Sequence, residues 1–358
     1  MSFLSRFFAR RQQFPSITSE TVVLWEPCSQ SHGEIVPGYA KYLLDLGYEV
    51  VVLMTPDRIG EGLFSRFAHS KLHLTTLSQR QIRRFMKTQD VRSAAGVLIS
   101  TAGKMPTDKT GAPDLDQVFG GVPPENVHLV EHDMSSLHGN GDWPNRVITL
   151  RDVSPEYGET HVVNPHYFGD VLHTPKNSQK TILLMVGAAR ARRRNDHLVI
   201  NAAERLIAAG YQNFEIRLVG KVDNIEVPLS LQNNFIKVGR LPFSNLYNEV
   251  ENCDFLLTAF QKDNPAHAFY RTTGTSGSLQ LCYGFAKPGI FQQNYIEGTA
   301  LNLENSLLYD EDTDMFDAMK MAIEMPPNQY KTMQVAMLDS ASHLAARSQA
   351  NMQALFSE

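Results

Sequence analysis

Short, uninterrupted runs of apolar residues alternate with helical patterns along most of this 358-residue chain. Thr21–Trp25 (TVVLW) and Glu49–Met54 (EVVVLM) are two such runs, and residues 32–46 between them form a helical pattern that Gly47 ends. A strand that is apolar on both faces must be covered on both faces, as in a parallel sheet with helices on each side. The alternation therefore predicts an α/β protein built on parallel sheets.

The alternation runs through the chain twice. The first half has further apolar runs at 96–100, 126–131 and 146–150. The second half restarts with strands at Thr181–Val186, Phe214–Val219, 235–238 and 254–258, and with helices at 196–209 and Phe243–Asn252. A polar stretch rich in Pro and Gly places the linker near 170–180. We expect two Rossmann-like domains facing a central cleft, at 1–172 and 173–330, with helices in 331–358 packing back toward the first domain.

Composition excludes several classes of function. A net charge of -5 argues against a nucleic-acid partner bound through phosphate neutralisation. The three cysteines, Cys28, Cys253 and Cys282, lack the spacing of a metal or disulfide framework, which favours a reducing, cytoplasmic setting. No apolar run approaches the ~18 residues that a membrane span needs.

The first 12 residues mix aromatic and basic side chains: Phe3, Leu4, Arg6, Phe7, Phe8, Arg10 and Arg11. This pattern suits a short amphipathic helix that touches the anionic inner face of a membrane. The alternative is a tail whose aromatic residues pack on its own protein.

A stretch rich in glycine and hydroxyl groups, at residues 270–288, predicts a diphosphate site. Gly274 and Gly277 allow tight turns, and a helix beginning near Ser276 would direct unpaired N–H groups at a ligand. Gly284 and Pro288 supply the expected end of that helix. The donor groups would come from four consecutive residues: Thr275, Ser276, Gly277 and Ser278. An ordinary capped helix is the alternative.

A basic loop follows the first strand of the second half. It begins at Gly187 and carries four arginines, among which Arg190 and Arg194 are suited to forked contacts with phosphate oxygens. A solvated basic loop is the alternative. The absence of a Gly-x-Gly-x-x-Gly turn argues against dinucleotide binding.

Two other strands of this half end in glycine. Gly220–Lys221 and the segment Gly239, Arg240, Leu241 place a bare backbone at a strand end, where a planar base could stack. Tight packing against a helix explains the same glycines.

This order of parts resembles the donor-binding domain of GT-B glycosyltransferases, most closely the retaining family four (glycosyl transferases group 1). Gly187, Arg190 and Arg194 occupy the places of that family's diphosphate ligands, and the likeness covers roughly residues 181–300. The family's two signature glutamates fall on Thr273 and Leu281, so both carboxylates are missing. The resemblance implies a nucleoside-diphosphate sugar as donor substrate and no other cofactor. Retention of anomeric configuration does not carry over.

Three polar residues of the first half are candidates for catalysis. His32 and Glu34 follow the first strand, where either would act as general base toward an acceptor hydroxyl in an inverting enzyme. His132 ends another strand, where the resembling family contacts the donor sugar with a histidine. A capping role for His32 and a structural role for His132 are the alternatives.

Further contacts to the nucleoside or sugar are expected from Tyr270, Gln280 and Glu297, although Glu297 also fits a solvent-facing loop. No metal is expected. His132 and Asp133 are adjacent and would point to opposite faces of a strand, and no Asp-x-Asp triad is present.

These observations predict a cytoplasmic, metal-independent glycosyltransferase acting on a surface glycan such as lipopolysaccharide or capsule. Its partners would be a nucleotide-sugar donor and a glycan or lipid-linked acceptor, with no nucleic acid. Two alternatives remain: a sugar-nucleotide 2-epimerase, and a catalytically inactive GT-B subunit that binds a partner.

Overall fold

The computed structural model describes residues 16–28, 32–105, 122–136, 147–154, 160–187, 195–222 and 225–357. Its strands form two parallel sheets, which confirms the α/β prediction. The first sheet has the order β3-β2-β1-β4-β5-β6-β7 and the second β10-β9-β8-β11-β12-β13. The first comprises β1 Thr21–Trp25, β2 Glu49–Met54, β3 Leu72–Thr76, β4 Gly96–Ile99, β5 Val127–Glu131, β6 Val147–Thr149 and β7 His161–Val162. The second comprises β8 Thr181–Val186, β9 Phe214–Val219, β10 Phe235–Gly239, β11 Phe255–Leu257, β12 Gly289–Gln292 and β13 Ser306–Tyr309.

Helices cover both faces of each sheet. We call the part of the chain around the first sheet the first lobe and the part around the second sheet the second lobe. The helices of the first lobe are α1 Val36–Asp45, α2 Pro56–Gly60, α3 Gln79–Phe85 and α4 Gln89–Arg92. The rest are α5 Asp196–Ala208, α6 Phe243–Asn252, α7 Ala268–Thr272, α8 Gly277–Phe285, α9 Met315–Glu324 and α10 Pro327–Ser357. Within the described residues, no helix is both long enough and apolar enough to cross a membrane.

The sheet topology fixes where a ligand can bind. In the first sheet β1 pairs with both β2 and β4, and all five residues of β1 are buried. Chain connections leave β1 in opposite directions on either side, so a crevice opens at the carboxyl ends of β1 and β4. In the second sheet β8 has the same central place between β9 and β11.

The 31-residue helix α10 packs on both lobes. Its Met337 lies in one core cluster with Leu281 of α8, whereas Met352 lies in another with Val22 of β1. Asn351 also donates a 2.8 Å hydrogen bond to the carbonyl of Val162 at the edge of the first sheet.

One predicted helix start differs from the structure, and one predicted helix end agrees with it. His32 has φ of 66°, residues Gly33–Ile35 form a 3-10 turn, and α1 begins only at Val36. The delay agrees with a proline in the first turn of α1, where its missing N–H leaves no intrahelical bond unmade. The predicted helix end over Gly284 to Pro288 is confirmed: α8 ends at Phe285, and Ala286 caps it with φ of 48°. Gly284 also allows close packing, since a Cβ there would lie 2.4 Å from the carbonyl oxygen of His166.

Candidate active site

The start of α8 presents hydroxyl and N–H groups to the interlobe cleft. Ser276 is the N-cap, and its side chain accepts a hydrogen bond from the N–H of Ser278. The buried hydroxyl oxygens of Thr275 and Ser278 have no hydrogen-bond partner in the described structure. Helix starts carry partial positive charge, so this turn is suited to an anion.

Glu34 of the first lobe faces this turn. A Cβ built on Gly277 would lie 3.5 Å from Glu34 Oε1, so the two lobes meet here with a carboxylate on one side and a helix start on the other. Glu34 follows His32 by two residues, in the turn that leads into α1. The described structure thus brings the predicted base candidates next to the predicted phosphate-binding turn.

His132 lies beside His32 at the same edge of the first sheet. The ring centroids of the two histidines are 4.2 Å apart, and His132 Nε2 lies 3.0 Å from the carbonyl oxygen of Ser100. Burial, followed by the nearby His32, lowers the pKa of His132 to about 4. The ring is therefore neutral at physiological pH. With its Nε2–H donated to Ser100, Nδ1 is left as an acceptor.

Glu26 is a site residue that the sequence analysis missed. It directly follows β1, is 1% exposed, and accepts hydrogen bonds from the hydroxyls of Ser100 (2.7 Å) and Thr101 (2.9 Å). Burial is the main reason that its pKa rises to about 7. A glutamate placed immediately after a fully apolar run was the available signal. Through Ser100, Glu26 supports the strand end that holds His132.

The loop before α8 is attached to the first lobe. Asp133 and Gly274 form an antiparallel bridge, and the Thr273 hydroxyl donates a 2.7 Å hydrogen bond to Asp133 Oδ1. Gly274 allows close packing here, since a Cβ on it would lie 2.6 Å from the ring of Phe269 and 3.2 Å from the carbonyl oxygen of His132. Thr273 stands where the resembling family has its first glutamate, and here it ties the two lobes together.

Arg151 holds the same loop from the other side. Its buried guanidinium donates hydrogen bonds to the carbonyls of Tyr270 (2.8 Å), Arg271 (3.0 Å) and Glu297. Tyr270 and Glu297 therefore contact the first lobe through their backbones, and the Glu297 side chain is exposed. Gln280, in contrast, is 1% exposed, and neither atom of its amide has a hydrogen-bond partner.

The three predicted strand-end glycines lie side by side. Gly187 donates a 2.8 Å hydrogen bond to the carbonyl of Val219, and Gly220 donates one of 2.9 Å to that of Gly239. A Cβ on Gly220 would lie 2.0 Å from the carbonyl oxygen of Gly187. Contact with the neighbouring backbone thus accounts for Gly220, whereas a Cβ on Gly239 would meet open space.

The side chains that follow these glycines differ in exposure. Lys221 is exposed, Leu241 packs against the second-lobe core, and Arg240 pairs with Glu61 of the first lobe at 3.0 Å. Arg190, Arg194 and the N-terminal 12 residues lie outside the described residues, so the basic loop and the membrane contact stay predictions. Among the described side chains, no group of three or more His, Cys, Asp or Glu is placed to hold a metal ion.

Solved structures of glycosyltransferases match the whole architecture. A glycosyltransferase from Rickettsia africae aligns with a TM-score of 0.58 at 10% identity, covering 96% of this chain and 98% of that one. Anabaena HepE, solved in complex with UDP-glucose, aligns with a TM-score of 0.59 at 14% identity, covering 94% and 100%. WaaG, involved in lipopolysaccharide biosynthesis, aligns with a TM-score of 0.50 at 12% identity, covering 94% and 98%.

The chain has the GT-B fold. The predicted arrangement of two Rossmann-like lobes around a cleft is confirmed. No protein-family model matches the chain, and no curated protein sequence matches it.

The lobes of this GT-B structure are in contact next to the candidate site. A cavity of about 90 Å³ lies between them, lined by Arg151 and Asn164 of the first lobe, Thr275 and Tyr283 of the second, and Arg347 of α10. Small-molecule sites usually enclose about 300–1,000 Å³. This cavity is therefore too small for a nucleotide sugar.

Proposed function

We propose that this protein is a glycosyltransferase that moves a sugar from a nucleoside-diphosphate donor to a surface glycan, such as lipopolysaccharide or capsule, without a metal ion. The observation that carries the proposal is the meeting of Glu34 and His132 with the start of α8 at the carboxyl ends of both sheets. Two neighbours support the substrate classes: HepE was solved with UDP-glucose, and WaaG is involved in lipopolysaccharide biosynthesis.

Each side of the cleft has a separate role in this proposal. The N–H groups of α8 and the hydroxyls of Thr275 and Ser278 bind the diphosphate and stabilise the negative charge that it gains as a leaving group. Glu34 accepts the proton of the acceptor hydroxyl. The hydroxyl oxygen bonds to the anomeric carbon of the sugar, and the bond between that carbon and the diphosphate breaks. Neutral His132 accepts a hydrogen bond from a sugar hydroxyl through Nδ1.

Donor entry in this proposal requires the lobes to separate. The bridge between Asp133 and Gly274 closes the cleft beside α8, and the cavity behind it holds only about 90 Å³. Lobe closure over a bound donor would exclude water from the reacting atoms.

Calorimetric titration with UDP-, GDP-, ADP-, CMP- and TDP-sugars, with and without EDTA, tests the donor site. We expect binding of one nucleotide, insensitive to EDTA, and its loss in an Arg190→Ala, Arg194→Ala double variant. A transfer assay with the bound donor and a glycan acceptor then tests the reaction. Binding that needs a metal ion, or that survives the double substitution unchanged, would contradict the proposed site.

The alternative of a catalytically inactive subunit has a specific observation in its favour. Thr273 and Leu281, which replace the resembling family's two glutamates, are both engaged elsewhere: Thr273 bonds to Asp133, and Leu281 is packed in the core. An inactive subunit would bind the nucleotide sugar yet release neither transferred nor free sugar. Products from the donor alone would instead indicate the epimerase alternative.

The membrane part of the proposal depends on the N-terminal segment. Deleting residues 1–12 is expected to abolish co-sedimentation with vesicles that contain anionic lipids. Equal sedimentation of the full and shortened chains would remove this support for a lipid-linked acceptor.

A further inference from the structure

Arg58 of α2 is a buried cation in which two of the three guanidinium nitrogens have no hydrogen-bond partner among the described residues. It is 2% exposed, and its Nη1 donates a 2.6 Å hydrogen bond to Glu61 Oε2. Its Nε and Nη2 meet no acceptor in the described structure. Leaving charged N–H groups unpaired in a water-poor interior is costly. A buried arginine with unpaired N–H groups is a candidate binding site for an anion.

The unpaired atoms have the geometry of an anion fork. Nε–H and Nη2–H project from the same edge of the planar guanidinium, which is the edge that takes two oxygens of a phosphate or carboxylate. No described acceptor occupies this edge, because Glu61 bonds Nη1 and the ring of Phe243 lies 5.5 Å from Cζ. The edge is buried while the lobes are in contact, so an anion would reach it only when they separate. Phe243 belongs to the second lobe, so the guanidinium lies between the lobes.

The ion pairs around Arg58 leave its guanidinium only partly paired. Glu61 neutralises Arg58 through Oε2 and also pairs with Arg240 through Oε1, so one carboxylate serves two guanidinium groups. Glu34 and Arg58, both described, form no ion pair with each other. Arg58 therefore shares its one carboxylate partner with Arg240 and has no described carboxylate at Nε or Nη2.

The position of Arg58 points to the diphosphate. A Cβ built on Gly33 would lie 2.6 Å from Arg58 Nη2, so the guanidinium packs on the loop after β1. The next residue in that loop, Glu34, faces the first turn of α8. Tyr247 lies at the same interface between the lobes, with its ring centroid 6.0 Å from that of Phe243. Its buried hydroxyl also has no hydrogen-bond partner in the described structure.

We propose that Arg58 binds an oxygen of the donor diphosphate from the first lobe, opposite the start of α8. This inference rests on the proposed function and extends it, because the basic loop predicted from sequence belongs to the second lobe. A diphosphate held from both lobes would draw them together, so donor binding and lobe closure would be one event.

Calorimetric titration with UDP, inorganic pyrophosphate and uridine tests the role of Arg58. In Arg58→Gln we expect the affinity for UDP and pyrophosphate to fall at least tenfold while any binding of uridine is unchanged. Arg58→Lys keeps the charge without the fork and should give an intermediate loss; it also serves if the glutamine variant fails to fold. Arg205→Gln is the control. Arg205 lies on α5, where it bonds the Thr313 carbonyl and packs over the ring of Phe316, both in the second lobe, so its loss should leave pyrophosphate affinity within twofold.

The outcomes separate this proposal from the proposed function. Wild-type-like pyrophosphate and UDP affinity in a folded Arg58→Gln variant would overturn the role of Arg58 and leave the glycosyltransferase proposal intact. Arg58-dependent pyrophosphate binding without any sugar transfer would support the anion site and count against the transferase. Absence of UDP and pyrophosphate binding by the wild-type chain would overturn both.

Discussion

At the scale of single residues, Glu26 makes the stability of the first lobe depend on pH. Its pKa is raised from 4.5 to about 7, mainly by burial, so the folded chain holds this proton more tightly than the unfolded chain. The stability that this difference contributes is complete below pH 4.5 and is lost as the pH rises through 7.

Replacing Glu26 with Gln should remove this pH dependence. We expect the free energy of unfolding to fall less between pH 5 and 8 in the variant than in the wild type, by up to about 3 kcal/mol. Urea unfolding across that range measures the difference. His132 and His166, whose pKa values burial lowers to about 4, act in the opposite direction, but they are present in both proteins and cancel. Parallel curves for the two proteins would contradict the prediction.

Substitution of Glu34 should affect the rate of sugar transfer and the affinity for the donor differently. If Glu34 is the general base of the proposed transfer, Glu34→Gln is expected to lower the transfer rate by about 10²–10⁴. Donor affinity should be kept or improved, since a negative charge no longer faces the start of α8. Rates and titrations with the bound donor measure the two effects, with Glu304→Gln, an exposed loop residue, as control. A variant with unchanged rate would move the role of base to His32.

Position 220 requires glycine because of its backbone conformation and its contact with Gly187. Gly220→Ala would combine a φ of 146° with a Cβ only 2.0 Å from the Gly187 carbonyl oxygen. Gly210→Ala, at φ of 91° with open space around it, carries strain without the clash. We expect the free energy of unfolding to fall by about 1–3 kcal/mol more for Gly220→Ala than for Gly210→Ala. Equal losses in urea unfolding would show that the backbone shifts to relieve the clash.

At the scale of elements, strands that are buried along their whole length were predicted from their apolar sequence, and partly exposed strands were not. β1 and β2 are buried almost throughout, and their bounds equal the predicted ones. β3 (LHLTT) lies at the sheet edge with no fully buried residue, so no apolar run marks it. β12 is only four residues long and follows Pro288 directly; pairing with β11 and β13 defines it as a strand.

The residues of the candidate site also differ in how far the sequence predicts them. The start of α8 was predictable because capping depends on residues adjacent in sequence, such as Ser276 and Ser278. Arg58 and Glu26 were not predictable as site residues. Their partners, Phe243 and Ser100, come from distant segments, and only the tertiary fold brings these residues together.

Ser276 tests the cap of α8. Ser276→Ala removes the side-chain acceptor at the helix start and should cost about 1 kcal/mol of unfolding free energy. Ser342→Ala in the middle of α10 is the control; its hydroxyl bonds only the Leu338 carbonyl, and its loss should be close to neutral. Chemical denaturation of both variants measures the difference, and an equally small effect would show that the cap contributes little.

At the scale of the whole molecule, polar contacts from several segments of the chain hold the two lobes together. Arg66 pairs with Glu251 and packs over the ring of Tyr247. The N–H of Phe243 donates a 2.8 Å hydrogen bond to the carbonyl of Glu61. Arg347 of α10 forms a forked pair with Asp152 of the first lobe at 2.6 and 2.8 Å.

The role of α10 in both lobes can be measured directly. Met352→Ala should cost about 2–5 kcal/mol, because it leaves a cavity in the first-lobe core. Val335→Ala, at a position 53% exposed on the same helix, should cost less than about 0.5 kcal/mol. Amide hydrogen exchange should rise in α1 and not in α5 of the Met352 variant. A uniform rise across both lobes would show that they unfold as one unit.

The return of α10 to the first lobe also affects how the protein folds during translation. Residues of β1 and α1 leave the ribosome early, but Met352 and Leu355, which complete their core, emerge after the whole second lobe. About 190 residues separate Val162, at the end of the first sheet, from Met352. At about 5–20 residues per second, the nascent first lobe therefore keeps an apolar surface uncovered for roughly 10–40 seconds. Protection of that surface by a ribosome-associated chaperone would therefore increase the yield of folded protein, and truncation of the message near its end would leave the earliest-made lobe unfinished.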